Sequence, residues 1–215
     1  MAQYNIIAES QEYTVVSEYD HVATPAETYQ SEADLEREFI RLLGEQGYEY
    51  LPIHTEADLI SNLRSQLEKL NHYSFIDNEW EHFFNECIAN KNDDIVAKTQ
   101  KIQDDYIQVL KRDTGESQNI RLIDKDNIHN NFVQVINQYV EDGGNYDTRY
   151  DVSILVNGLP LVHIELKRRG VQLKEAFNQI NRYQRDSFWA GCGLYEYVQI
   201  FVISNGTNTK YYSNT

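Results

Sequence analysis

Residues 151–167 read Asp-Val-Ser-Ile-Leu-Val-Asn-Gly-Leu-Pro-Leu-Val-His-Ile-Glu-Leu-Lys, and how this stretch folds back on itself decides the architecture. Two strand-like segments, Asp151 to Val156 and Leu161 to Lys167, flank a short turn. Alternation places Val152, Ile154 and Val156 on one face of the first segment, and Val162, Ile164 and Leu166 on one face of the second. Paired strands must turn both apolar sets toward the same core, and a slip of one residue would bury the polar set instead. Asn157-Gly158 suggests a two-residue turn. Simple two-residue pairing, however, sets Val156 against Leu159 and puts Asp151 on the face opposite Glu165. A three-residue loop, Val156-Asn157-Gly158, with Gly158 left-handed, or an equivalent bulge, keeps the apolar faces together. Asp151, Ser153, His163, Glu165 and Lys167 then share one face, with Asp151 a diagonal step from Glu165, roughly 7–8 Å between backbones.

Charged residues along one face of a hairpin are ordinarily a solvated surface. The surroundings argue otherwise here. Leu173 to Arg185 carries Leu173, Ala176, Phe177, Ile180 and Tyr183 at helical spacing, and Tyr197-Val-Gln-Ile-Phe-Val-Ile-Ser204 reads as a deeply buried strand. Strand, helix, strand in that order predicts a crossover onto a parallel neighbour. The hairpin is then central in its sheet, where carboxylates need a reason to be present. Two carboxylates can hold a metal ion, and an ammonium beside them can handle a water or a phosphate.

The residues Asp151…Glu165-x-Lys167 resemble the PD-(D/E)xK nuclease signature, with Tyr150 where many members have proline. Gln179-Ile-Asn-Arg-Tyr183 is similar to the Gln-x3-Tyr motif of RecB-like members, and Glu36-Arg-Glu-Phe-Ile-Arg-Leu-Leu-Gly-Glu-Gln-Gly47-Tyr48 to the helix that brings a third acidic group. Together with Phe201-Val-Ile-Ser-Asn-Gly, the pattern looks closest to the restriction (motor) subunit of Type I restriction-modification enzymes, most specifically over 148–206 and more weakly over 31–50. The resemblance implies Mg²⁺ held by Asp151, Glu165 and the Leu166 backbone carbonyl, with Lys167 orienting the attacking water or neutralising the phosphate. Gln179, Tyr183 and Arg182 become candidates for DNA contact or coupling; a helix surface with Tyr183 capping the core is the competing reading. Glu36 is the candidate third acidic group, against an ordinary surface glutamate in an Arg/Glu-rich helix. His163 reads as a hydrogen-bonded structural histidine on the charged face.

Charge opposes a free-standing DNA binder. The 215-residue chain carries a net −15, which repels DNA at long range. Between Arg149 and Asp186, seven basic and four acidic residues make a locally positive stretch, so the remainder carries −18. A basic active face on an acidic body needs something else to hold the DNA. No apolar run reaches membrane length, and the N-terminus lacks a signal peptide's regions. Cys87 and Cys192, with no CxxC or Cys/His cluster, fit a reducing cytoplasm and argue against zinc. No Gly-x4-Gly-Lys-Ser/Thr loop is present, so ATP is expected only in a full-length subunit whose motor lies beyond Thr215.

Along the rest of the chain, residues 1–30 show no helical pattern, and Tyr13-Thr-Val-Val-Ser suggests an edge strand. Ser31-Glu-Ala-Asp34 reads as a capping box opening a helix with Leu35, Phe39, Leu42 and Leu43 inward, ending near Gly47. Thr55 caps a second helix striped by Leu59, Leu63, Leu67 and Leu70. Ser74 starts a third through Trp80, Phe83, Phe84 and Ile88, and Asp93 to Leu110 forms a fourth with Ile95, Ile102 and Tyr106 inward. Strands near 119–123 and 132–140 follow, then a Gly143-Gly144 turn.

The expected architecture is therefore α/β: a central mixed sheet flanked by helices, a restriction-endonuclease-like core over about 31–50 and 115–215, and a helical excursion over about 55–112. The expected activity is that of a Type I site-specific deoxyribonuclease: Mg²⁺-dependent hydrolysis of double-stranded DNA, alongside methyltransferase and specificity subunits that join through the full-length protein. The alternatives are a catalytically silent nuclease-fold module that docks a motor or partner subunit, and a junction resolvase or repair nuclease. Resolvases bind DNA themselves and should be basic, so the charge disfavours them.

Overall fold

The computed structural model describes residues 3–9, 15–20, 30–141 and 148–214, with side chains described from residue 30 onward. They belong to two units, residues 1–30 and 31–215. In the first, β1 (Gln3–Glu9) pairs antiparallel with β2 (Val15–Asp20). The Tyr13-Thr14 start of the expected edge strand and the Gly143-Gly144 turn lie outside the described residues.

The second unit opens with α1 (Glu32–Glu45), where Ser31 and Asp34 form the expected capping box and the chain leaves through Gly47 at φ +92°. Inward on α1 are Leu43 and, more than the sequence suggests, Glu36, while Leu42 is 41% exposed. After β3 (Glu49–Tyr50), α2 (Glu56–Asn71) is capped by Thr55 and buries Leu59, Leu63 and Leu67 completely. The third helix does not start at Ser74. α3 (Asp77–Phe83) has Ile76 at its N-cap, with no side-chain bond there, and runs into a π-helical turn over Phe84–Ile88.

The fourth helix is shorter than its spacing predicts. α4 (Ile95–Gln103), capped by Asp94, stops well before Leu110, and β4 (Ile107–Lys111) pairs antiparallel with β5 (Ser117–Arg121) around Gly115 at φ +84°. Ile107-Gln-Val-Leu-Lys alternates as well as it spirals, and β-branched residues with a partner strand decide it toward strand. Leu110 and Ile120 are buried from this hairpin.

The main sheet is built from β3 and β6 (Val133–Glu141), β7 (Thr148–Val156), β8 (Leu159–Leu166), β9 (Ile200–Ser204) and β10 (Thr209–Ser213). Its order is β10-β9-β8-β7-β6-β3, with β8–β9 and β3–β6 parallel and the other pairs antiparallel. The crossover between the parallel pair carries α5 (Leu173–Asp186). The architecture is thus α/β with a mixed central sheet flanked by helices. One face packs with α1 through Leu43, Val135, Val152, Ile164 and Leu166; the other joins Ala176, Ile180 and Tyr183 of α5 to Leu59, Leu63 and Leu67 of α2.

The hairpin solves its register problem in the second of the two expected ways. Asn157 (φ +51°) and Gly158 (φ +85°) make a two-residue turn with Val156 opposite Leu159, and a bulge between Ile154 and Leu155 then restores Ile154↔Val162 and Val152↔Ile164. The three-residue loop is therefore corrected to a tight turn plus bulge. Val156 pays its alternation to the other core, alongside Leu159. Gly158 is required twice over: its φ is positive, and a Cβ there would lie 2.5 Å from the Leu63 Cα of α2. Asn157 is fully buried, donating to Leu122 O (2.9 Å) and accepting from Phe132 N (2.9 Å).

Candidate active site

Central strands β7 and β8 bring Asp151 and Glu165 together. The β7–β8 ladder ends at Val152↔Ile164, so Asp151 and Glu165 flank its last pair. Alternation also breaks at this point. Val152 packs with α1, whereas Tyr150, two residues earlier, is buried in the opposite core. The partner strand explains the break: Gln138 of β6 has φ +52°, and its ladder runs Asn137↔Val152 and then Tyr139↔Tyr150. A left-handed residue twists the strand locally, so Asp151 sits at a kink.

Each polar group at the kink has a definite partner. Asp151 Oδ2 accepts from the Leu166 backbone N–H at 2.9 Å. Lys167 Nζ donates to Glu165 Oε1 at 3.0 Å, and the Lys167 N–H donates to Ser204 O of β9 at 2.8 Å. Glu165 is fully buried, and its other oxygen, Oε2, has no hydrogen-bond partner. Glu36 is 9% exposed, not a surface residue; its two oxygens accept from Asn137 Nδ2 (2.5 Å) and Gln138 Nε2 (2.6 Å). This amide clamp was not legible in the sequence, because nothing in Asn137-Gln138 signals the left-handed backbone that aims it.

The electrostatics follow from burial. Asp151 is pushed up to about 7, first by desolvation and then by the Glu165 charge, with Glu36 adding to it and the Leu166 N–H and Lys167 opposing. For Lys167, burial works to lower the pKa, yet the charge and hydrogen bond of Glu165 and the charge of Asp151 outweigh it, so it rises and the ammonium is kept. One ammonium faces two carboxylates, with a third nearby, in a largely dry setting. Among the described residues no three His, Cys, Asp or Glu side chains converge on one point, so an ion here would be held by the Asp151–Glu165 pair, backbone oxygen and water. The orphaned Glu165 Oε2 and the mutual repulsion of the pair fit a divalent cation.

The remaining candidates lie on α5, which packs on β8 and β9. Gln179 Nε2 donates to the Tyr183 hydroxyl, which donates to Arg149 O at 3.2 Å. Tyr183 is 4% exposed and is pushed up to about 12 by burial, then by Glu165. It is therefore a core residue whose hydroxyl reaches the backbone beside Asp151. Arg182 is exposed, its guanidinium 5.6 Å from the Tyr183 ring centre. His163 differs from its expected role: it is fully buried, neither ring nitrogen has a hydrogen bond, and Nε2 lies 3.5 Å from Glu165 Oε2.

Fold and site together define an α/β domain with a half-buried Asp151, a fully buried Glu165 and a lysine at the same end of adjacent central strands. The chain belongs to the family described as Type I restriction enzyme R protein N terminus (HSDR_N), whose model matches residues 29–215. It is 49% identical over 210 residues to the Type I restriction enzyme EcoprrI endonuclease subunit of Escherichia coli, covering 97% of this chain and 67% of that protein. It is 40% identical over 191 residues to the SsaAORF53P endonuclease subunit of Staphylococcus saprophyticus, covering 86% of this chain and 20% of that protein. With the HindI endonuclease subunit of Haemophilus influenzae it shares 30% identity over 204 residues, 82% of this chain and 18% of that one. The chain thus spans two thirds of the first relative and about a fifth of the others. Among the described residues, no helix is long and apolar enough to cross a membrane.

Proposed function

We propose that this chain is the endonuclease module of a Type I restriction enzyme, a PD-(D/E)xK domain that hydrolyses phosphodiester bonds of double-stranded DNA with Mg²⁺. The observation that carries the reading is a half-buried Asp151 raised by desolvation and by the charge of a fully buried Glu165, with Lys167 bonded to Glu165 Oε1. Asp151, Glu165 and the Leu166 carbonyl would hold the ion; when bound, it would lower the pKa of a bound water and stabilise the leaving oxygen at phosphorus. Lys167, kept protonated at Nζ by its two carboxylate neighbours, orients the attacking water and adds positive charge beside the phosphate. The Glu165 Oε1 contact fixes that ammonium within the site. Arg182 on the exposed side of α5, with Gln179 and Tyr183 behind it, contacts DNA or couples the site to it.

The acidic chain calls for help with DNA, which the ATP-driven motor and the methyltransferase and specificity subunits would provide in the cytoplasmic assembly. The same charge favours a second reading, a silent module that docks the motor. Calorimetric titration of this chain with Mg²⁺ separates the two. The nuclease reading expects saturable binding that disappears in Asp151→Ala/Glu165→Ala; equal binding by that variant would place any ion elsewhere.

A further inference from the structure

We propose that His163 is the positioning residue for Glu165, its Nε2–H holding the Oε2 oxygen of a metal-ligating carboxylate that Lys167 grips at Oε1. The inference rests on the proposed ion site and adds to it a residue that no comparison assigns. His163 lies on β8 two residues before Glu165 and directly across from Ser153, so both side chains leave the strand on one face. Both are fully buried. The ring stands edge-to-face against Tyr150, Tyr183, Phe188, Tyr195 and Phe201, with centroids 5.3–6.4 Å away. A phenylalanine would suit such a box, so packing alone gives no reason for an imidazole.

Three buried atoms in this small volume lack hydrogen bonds: His163 Nδ1, His163 Nε2 and Glu165 Oε2. Two of them face each other at 3.5 Å. A buried polar atom without a partner is costly, and a bare nitrogen lone pair aimed at a carboxylate oxygen would be repulsive as well. A proton on Nε2 turns this 3.5 Å approach into an electrostatic attraction, longer than a hydrogen bond. It restrains the carboxylate from the side that Lys167 does not reach. Partners of this kind, behind a metal ligand, commonly change metal affinity 10- to 100-fold when removed.

The test uses this chain in three forms, wild type, His163→Phe and His163→Gln, with Mn²⁺ binding measured by equilibrium dialysis and folding monitored by thermal unfolding. His163→Phe fills the box without a donor and should weaken Mn²⁺ binding about 10- to 100-fold. His163→Gln, which retains an N–H, should recover most of that loss. Phe and Gln variants that bind equally would overturn the proposal, as would a Phe variant that binds like wild type. A separate readout needs no metal: nitrogen-15 spectra should show a protonated Nε2 whose signal shifts in Glu165→Gln. A proton on Nδ1, or no shift, refutes the contact even if the Phe variant fails to fold. Wild-type chain that binds no Mn²⁺ but shows the shift would sink the ion-site reading while leaving the His163–Glu165 contact standing.

Discussion

Replacing Asp151 by asparagine should make the metal-free domain more stable at alkaline pH, and the structure gives the size of the effect. The Asp151 carboxyl is raised from 3.8 to about 7, by burial first and by Glu165 second. A raised acid pKa means that the unfolded chain gives up this proton more readily than the folded one. Stability from this group is thus fully present below about pH 4 and is lost as pH climbs to about 7. At roughly 1.4 kcal/mol per pKa unit, the loss has a ceiling of about 4 kcal/mol. Solvent relaxation around a site that is not fully enclosed brings it to about 2–4 kcal/mol. Asparagine keeps the oxygen that accepts the Leu166 N–H but never ionises. Thermal unfolding in EDTA should show wild type and Asp151→Asn close together near pH 4 and the variant higher by roughly 5–10 °C at pH 8. Added Mg²⁺ should narrow or close the gap by stabilising only the wild type, about 2.7 kcal/mol at a hundred times its Kd. A gap independent of pH, or a wild type more stable than the variant at pH 8 in EDTA, would refute the reasoning.

Other expectations follow from the same contacts. Gly158→Ala forces a Cβ to within 2.5 Å of the α2 backbone at positive φ, so chemical denaturation should report a loss of about 2–4 kcal/mol or no folded protein. Lys98 is 2% exposed and bonded to Glu196 (2.6 Å) and Gly193 O (2.9 Å); Lys98→Ala should destabilise by about 3 kcal/mol, measured the same way. Gln179→Ala should weaken cleavage less than tenfold, whereas Glu36→Ala, which frees Asn137 and Gln138 beside the kink, should lower cleavage more than Gln179→Ala with little change in fold.

Much of this was legible because local pattern and tertiary demand agreed. The apolar alternation of 152–156 and 162–166 admits few registers, requiring either a three-residue loop or an equivalent bulge, and the chain takes the bulge. Ser31 and Thr55 cap their helices as residue type and spacing suggest, and Ile200–Ser204 lies parallel to β8 as the crossover requires. The misses share a cause: tertiary partners override local preference. The segment after Gln103 leaves the helix because β5 offers it a strand partner. Glu36 is buried because Asn137 and Gln138, a hundred residues away, supply its hydrogen bonds. Val156 and Tyr150 change faces where a bulge and a left-handed Gln138 interrupt alternation, and glutamine carries no preference for that backbone. His163 misled for the opposite reason, since a histidine on a polar face ordinarily finds a hydrogen bond, and here its neighbour is Glu165.

The most direct test of the central claim is plasmid cleavage by the full-length subunit, assembled with its partners, carrying Asp151→Ala, Glu165→Ala or Lys167→Ala, with ATP hydrolysis followed in the same reactions. The account predicts that each variant loses cleavage by at least about a thousandfold, of order 4 kcal/mol in the barrier, while ATP hydrolysis continues. Cleavage within tenfold of wild type in any one of the three would contradict it.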